Sequence, residues 1–111
     1  MVCWSGARAK RQRDVSVSLN KIGDVLYDRN DLEGALTNYR ESLVIAKRLA
    51  AADESHMGRA RDCWASMWRI AQFPEGGVSW AQVADELESM HARGVLLPTD
   101  EQFLREARRL A

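Results

Sequence analysis

The residues best suited to chemistry in this 111-residue sequence are two histidines, two cysteines and scattered carboxylates. His56 and His91 each lack a His, Cys or paired acid at the spacing that holds a metal ion. Cys63 has no base near it in the sequence and fits a small buried residue on a helix. Glu86 and Glu88 lie two residues apart on a predicted helix and so point in different directions. We therefore predict no catalytic residue, no metal site and no cofactor, and we expect a protein that is not an enzyme.

Signals for phosphate or nucleic-acid binding are weak. Gly76 and Gly77 follow a proline without the Lys and Ser/Thr of a phosphate-binding loop. A basic run occupies residues 8–13, but it has no interleaved aromatic residues, so a solvated first turn is the favoured interpretation over contact with phosphates. Acidic and basic side chains number 16 each, and this balance favours neither a polyanion nor a membrane as partner.

The cysteine pattern and the hydropathy indicate the cellular setting. Cys3 and Cys63 form no CxxC pair, so the sequence predicts neither a disulfide framework nor a zinc site. No stretch approaches the roughly 20 apolar residues that span a bilayer, and no secretory leader is recognisable. We expect a soluble cytoplasmic protein.

The elements that position these residues are predicted to be helices throughout. Val15, Leu19, Ile22 and Leu26 recur every three or four residues, which indicates one face of a helix over about residues 10–28. Asn30 or Asp31 then caps a long second helix that ends near residue 53. No segment alternates with the period of a strand, so the predicted class is all-α.

Three further helices follow in the prediction. Asp53 or Ser55 caps the third helix, which ends before Pro74. Ser79 and Gln82 form a capping box for the fourth helix, and Gly94 terminates it. The capping-box pattern recurs at Thr99 and Gln102, ahead of a short fifth helix.

Gly23 is out of place in the first helix, since glycine costs a helix interior about 1 kcal/mol relative to alanine. A close contact between two antiparallel helices would explain it. We predict that Gly23 meets Ala35 of the second helix, with larger side chains such as Ile22, Leu26 and Tyr39 filling the flanks.

This hairpin resembles the tetratricopeptide repeat. The matching positions are Leu19, Ile22, Gly23, Leu26, Ala35 and Tyr39. The usual first Trp is replaced by Leu19, the proline at the end of the repeat is absent, and the long second helix is similar to the extended repeats of many bacterial proteins. The resemblance implies a short solenoid of stacked antiparallel hairpins that acts as a scaffold or adaptor.

A second, divergent copy of the repeat is visible inside the chain. RDVSVSLNKIGDV, from Arg13, aligns with RDCWASMWRIAQF, from Arg61, so that Gly23 becomes Ala71. We predict a basic lead-in over residues 1–12, either disordered or the start of helix one, and a helical domain over 13–111. That domain divides into a first repeat (13–53), a divergent second repeat (54–94) and a capping helix (95–111).

The resemblance also places a ligand groove, because Trp68 aligns with Asn20 at a position that tends to line the concave face of such repeats. The predicted partner-binding residues are Asn20, Asp24, Tyr27, Trp68 and Gln72. Trp64 lies one turn from Trp68, and one or both tryptophans alternatively pack beneath the fourth or fifth helix.

Two repeats are fewer than the three that stacked arrays usually need. The chain is then part of a longer array, or its open first hairpin binds another protein, or two copies pair as a homodimer. Val2 and Trp4 could also cover that end. We expect a protein or peptide partner, reached through the groove or the open end, and not a membrane; nucleic acid is the least favoured partner.

Overall fold

Five α-helices make up most of residues 6–53 and 56–111, the part of the chain that the computed structural model describes. They are α1 (Gly6–Asp28), α2 (Leu32–Ala52), α3 (Met57–Ala71), α4 (Trp80–Ala92) and α5 (Glu101–Leu110), with a 3-10 turn at Pro98–Asp100. No described residue lies in a strand, which confirms the all-α class. Residues 6–12 of the predicted lead-in belong to α1, whereas Val2, Cys3, Trp4 and Ser55 lie outside the described residues.

α1 and α2 form an antiparallel hairpin with a tight polar turn. Asn30 has a φ of 64°, in the left-handed region that asparagine tolerates better than most residues. Asp31 caps α2, because its side chain accepts a hydrogen bond from the backbone N–H of Gly34 at 3.0 Å. Of the two predicted caps, Asp31 is the one that the structure uses.

Gly23 leaves room for the aromatic ring of Tyr39. A Cβ atom at Gly23 would lie 2.5 Å from Cε1 and 2.7 Å from Cδ1 of that ring, well inside van der Waals contact. The prediction of a close interhelical contact at Gly23 is therefore confirmed. The nearest atoms belong to Tyr39 rather than to Ala35, the neighbour that the sequence predicts, and Ala35 is buried within the core.

A chain of small hydroxyl side chains joins three helices beside this contact. The Ser42 Oγ in α2 lies 2.8 Å from the Ser16 Oγ in α1 and 3.3 Å from the Ser66 Oγ in α3. Asn20 extends the chain, because its Nδ2 donates to the Ser66 Oγ at 3.1 Å. All four residues are buried, so these hydrogen bonds satisfy polar groups that would be costly to leave without partners, although the Oδ1 atom of Asn20 has no partner among the described atoms.

The apolar stripe of α1 is less buried than the sequence suggests. Val15 and Ile22 are 45% and 49% exposed, while Leu19 and Leu26 are partly buried. The expectation that Ile22 fills a flank of the hairpin contact is therefore wrong, although Tyr39 does so. The residues that α1 buries are instead small or polar: Ala9, Ser16, Asn20 and Gly23.

Two of the predicted helix starts are corrected. His56, rather than Asp53 or Ser55, caps α3, because its Nδ1 accepts a hydrogen bond from the N–H of Arg59 at 3.2 Å. Before α5 the 3-10 turn replaces the predicted capping box, and the side chain of Gln102 donates to the backbone carbonyl of Thr99 at 3.2 Å.

The start and end of α4 agree with the sequence. Both hydrogen bonds of the Ser79–Gln82 capping box are present, at 2.8 and 3.1 Å. Gly94 follows the helix with a φ of 74°, a conformation that glycine adopts without the steric cost of a side chain.

α5 forms the C-terminal end of the fold. It packs on α4 and buries Leu104 and Ala107, and an ion pair joins Arg108 to Glu88 at the surface. α2 packs on α3 and α3 on α4, so the helices follow one another in order from one end of the fold to the other. Within the described residues, no helix is long and apolar enough to cross a membrane.

Candidate functional site

An aromatic cleft of about 470 Å³ opens between α1, α3 and α5. Five aromatic rings, two arginines, two aspartates, an alanine and a glutamine line it: Tyr27, Tyr39, Trp64, Trp68, Phe103, Arg61, Arg69, Asp24, Asp28, Ala65 and Gln72. Four of the five predicted partner-binding residues are therefore brought together here. We call this site the aromatic cleft.

Asn20 is the predicted site residue that the structure places elsewhere. It is 9% exposed, and its amide donates to Ser66 in the hydrogen-bonded chain between the helices. Asn20 and Trp68 are paired by the sequence alignment, yet Trp68 lines the cleft and Asn20 does not. The prediction that Asn20 lines the groove together with Asp24 and Tyr27 is therefore corrected: Asn20 lies beneath the surface.

Asp24 is held at the cleft by two different donors. The Tyr39 hydroxyl donates to Oδ1 at 2.5 Å, and the Arg69 guanidinium donates to both carboxylate oxygens, at 3.1 and 3.3 Å. Burial opposes ionisation, but these hydrogen bonds outweigh it and hold the pKa of the Asp24 carboxyl below its ordinary value. Burial and the bond to Asp24 raise the pKa of the Tyr39 hydroxyl, so Asp24 is ionised and Tyr39 is protonated at neutral pH.

A second ion pair anchors the other arginine of the cleft. The Nε atom of Arg61 donates to Asp100 Oδ2 at 2.9 Å, and Asp100 is 2% exposed. Because Arg69 is neutralised by Asp24 and Arg61 by Asp100, neither arginine is an unopposed cation. Asp28 is exposed and makes no ion pair among the described residues, so it supplies the uncompensated charge at the edge of the cleft.

Trp68 forms part of the cleft wall and is supported by other rings. Its ring centroid lies 4.8 Å from that of Trp80 and 5.4 Å from that of Phe103, with near-perpendicular planes. Such edge-to-face pairs are favourable and restrict the indole to one orientation. Trp68 is half-buried, so it presents apolar surface to the cleft while α4 and α5 hold it in place.

Trp64 lies deeper and belongs to the core. It is 4% exposed and its ring centroid is 5.0 Å from that of Phe103. The alternative in which a tryptophan packs beneath the closing helix is therefore confirmed for Trp64. Its indole Nε1 is buried and has no hydrogen-bond partner among the described atoms.

The cysteine and histidines that could serve in catalysis lie outside the aromatic cleft, in the core or at helix ends. Cys63 is 4% exposed, and burial raises the pKa of its thiol to about 11, which disfavours the nucleophilic thiolate. His56 caps α3, and His91 lies in the last turn of α4, 3.4 Å from Glu101. Among the described residues, no group of three His, Cys, Asp or Glu side chains could hold a metal ion.

Several cleft residues were missed by sequence reasoning. Two of them, Arg61 and Ala65, precede the predicted residues Trp68 and Gln72 on the same helix. The intervals along this series are four, three and four residues, so helical spacing from Trp68 identifies both. Phe103 carries no such signal, because only the packing of α5 brings it to the cleft.

Comparison of the chain with protein-family models, with curated proteins and with solved structures found no match.

Proposed function

We propose that this chain is a non-catalytic interaction module that binds a peptide or protein segment in the aromatic cleft. The observation that carries the proposal is the exposure of Tyr27 and Trp68 in one cavity, large enough for one or two side chains of a partner. Tryptophan and tyrosine are the residues on which binding energy is most often concentrated at interfaces. The buried thiol of Cys63 and the capping role of His56 favour this proposal over an enzyme.

The chemistry of the cleft favours a particular kind of segment. The aromatic faces of Tyr27 and Trp68 suit an apolar or planar side chain, and a guanidinium or ammonium group binds well against such faces. Asp28 adds the uncompensated negative charge at the rim. We therefore propose a segment in which an apolar anchor is adjacent to an arginine or lysine.

The framework that presents the cleft is proposed to be a short array of tetratricopeptide-like hairpins. Its support is the motif Leu19, Ile22, Gly23, Leu26, Ala35 and Tyr39, together with the contact between Gly23 and Tyr39. A scaffold or adaptor role belongs to the same proposal, and we propose the cytoplasm as its location.

Peptide display tests the proposal and does not require the natural partner to be identified. A random library is selected on the wild-type chain and depleted on the Tyr27→Ala variant, which removes exposed aromatic surface from the cleft. We expect enriched peptides that carry an apolar residue next to a basic one. Failure to enrich any sequence that distinguishes the two proteins would count against the cleft as a binding site.

A further inference from the structure

The second surface of interest is the face of α1 that the fold leaves uncovered. Val15 and Ile22 are about half exposed there, and the partly buried Leu19 lies between them. Arg11 and Arg29 occur at helical intervals before and after this stripe, so they lie on the same face. The surface is therefore apolar at its centre and basic at both ends, and we call it the α1 face.

The internal repeat identifies the equivalent positions in α3. A shift of 48 residues, Arg13 onto Arg61, carries Val15 onto Cys63, Leu19 onto Met67 and Ile22 onto Ile70. These α3 residues are only 4%, 7% and 1% exposed. The same stripe is thus buried in the second repeat and open in the first.

A helix covers the stripe in the second repeat. α2 packs directly on α3, and Cys63 lies beside Lys47 and Ala50 near the end of α2. Arg59 donates from Nη1 to the backbone carbonyl of Leu49 at 3.3 Å, where the last carbonyls of α2 lack partners within their own helix. Arg11 is the equivalent of Arg59 in the first repeat. The α1 face therefore carries both an apolar stripe and an arginine that can bind the last carbonyls of a helix.

A second copy of the chain fits this surface poorly. Head-to-tail stacking would need an open C-terminal end, but α5 packs on α4 and occupies that end. Head-to-head pairing would bring two basic faces together. The acidic residues of α1 do not offset this charge, because Asp24 and Asp28 belong to the cleft and Asp14 is paired with Lys10 at 3.5 Å. Like charges brought together at an interface oppose association.

We propose that the α1 face binds an amphipathic α-helix of another protein. The helix carries an apolar stripe over Val15 and Ile22, runs so that its C-terminal carbonyls meet Arg11, and bears acidic side chains opposite the flanking arginines. This surface is separate from the aromatic cleft, so the proposal goes beyond the peptide-binding role proposed above and stands or fails independently of it.

The sequence of α2 supplies a probe, because α2 is the helix that covers the equivalent stripe. A labelled 21-residue peptide, Leu32–Ala52, with Lys47 and Arg48 replaced by Glu, is titrated into the full chain by fluorescence anisotropy. A second peptide retains Lys47 and Arg48. We expect saturable binding of the acidic peptide, weaker binding of the second peptide, and a smaller difference between them at high salt.

Two variants locate the binding surface. Ile22→Glu places a charge in the stripe and is expected to weaken binding at least tenfold while leaving the circular dichroism spectrum unchanged. Val44→Glu is the matched control, since Val44 is 56% exposed on α2, and it should bind as the wild type does.

Three results would overturn the proposal. The first is no binding of the acidic peptide up to about 1 mM, beyond which affinity is too weak for a specific site. The second is equal binding by wild type and Ile22→Glu. The third is sedimentation of the chain as a dimer that Ile22→Glu dissociates, which would assign the α1 face to a second copy.

Discussion

The ring of Tyr39 occupies the space in which any residue larger than glycine at position 23 would place its Cβ atom, 2.5 Å from Cε1. Gly23 thereby fixes the separation of α1 and α2, and through the Tyr39 hydroxyl it also fixes the position of Asp24 at the cleft. The packing of the hairpin and the geometry of the candidate site depend on the same contact.

Gly23→Ala is expected to destabilise the chain by about 1–3 kcal/mol, because the added methyl group overpacks the hairpin. In a solvated helix the same change would stabilise by up to about 1 kcal/mol. The sign of the change in the free energy of unfolding therefore shows whether the Tyr39 ring occupies this space. The measurement is chemical denaturation followed by circular dichroism. Tyr39→Leu serves as a second background, in which Gly23→Ala should be less harmful; an equal effect in both backgrounds would show that the ring is not responsible.

Ser42→Ala is expected to reduce the free energy of unfolding by about 1–3 kcal/mol. The Ser42 hydroxyl donates to the backbone carbonyl of Ser16 at 2.8 Å and lies 3.3 Å from the Ser66 hydroxyl, so its loss removes buried hydrogen bonds between three helices. Ser18→Ala on the exposed side of α1 is the control and should change stability little. If both variants unfold at the wild-type denaturant concentration, the buried serines contribute no stability.

The ionised Asp24 carboxylate is expected to make stability dependent on pH. Its pKa is lowered in the folded protein, so its contribution is present in full above the unfolded pKa and is lost as the pH falls from about 4 through the lower native value. Asp24→Asn should flatten the loss of stability over this acidic range and lower stability at pH 7. A variant with an unchanged pH profile would show that the bonds from Arg69 and Tyr39 do not stabilise the carboxylate.

Local signals in the sequence predict the helix ends well where the capping group is a neighbour in the chain. Ser79 with Gln82, Asp31 and Gly94 act within one turn of their helices, and the structure uses each of them. The Thr99 and Gln102 pair failed because Pro98 begins a 3-10 turn there, which moves the start of α5 to Glu101.

Burial depends on partners distant in sequence and was harder to predict. Helical spacing identifies the stripe with Val15 and Ile22, but it cannot show that these side chains stay about half exposed among the described helices. Alignment with Trp68 places Asn20 in the groove, whereas the hydrogen bond to Ser66 of another helix holds it in the interior. Phe103 reaches the cleft only through the docking of α5, which no local pattern encodes.

Binding in the aromatic cleft is the central claim, and isothermal titration calorimetry of one display-selected peptide tests it most directly. The peptide is titrated into the wild type, Tyr27→Ala and Trp68→Ala, with Val44→Ala as the control outside the cleft. Thermal unfolding establishes that each variant is folded. We predict wild-type affinity for Val44→Ala and a loss of at least tenfold, about 1.4 kcal/mol, for both cleft variants. Unchanged affinity in folded Tyr27→Ala and Trp68→Ala would contradict the account.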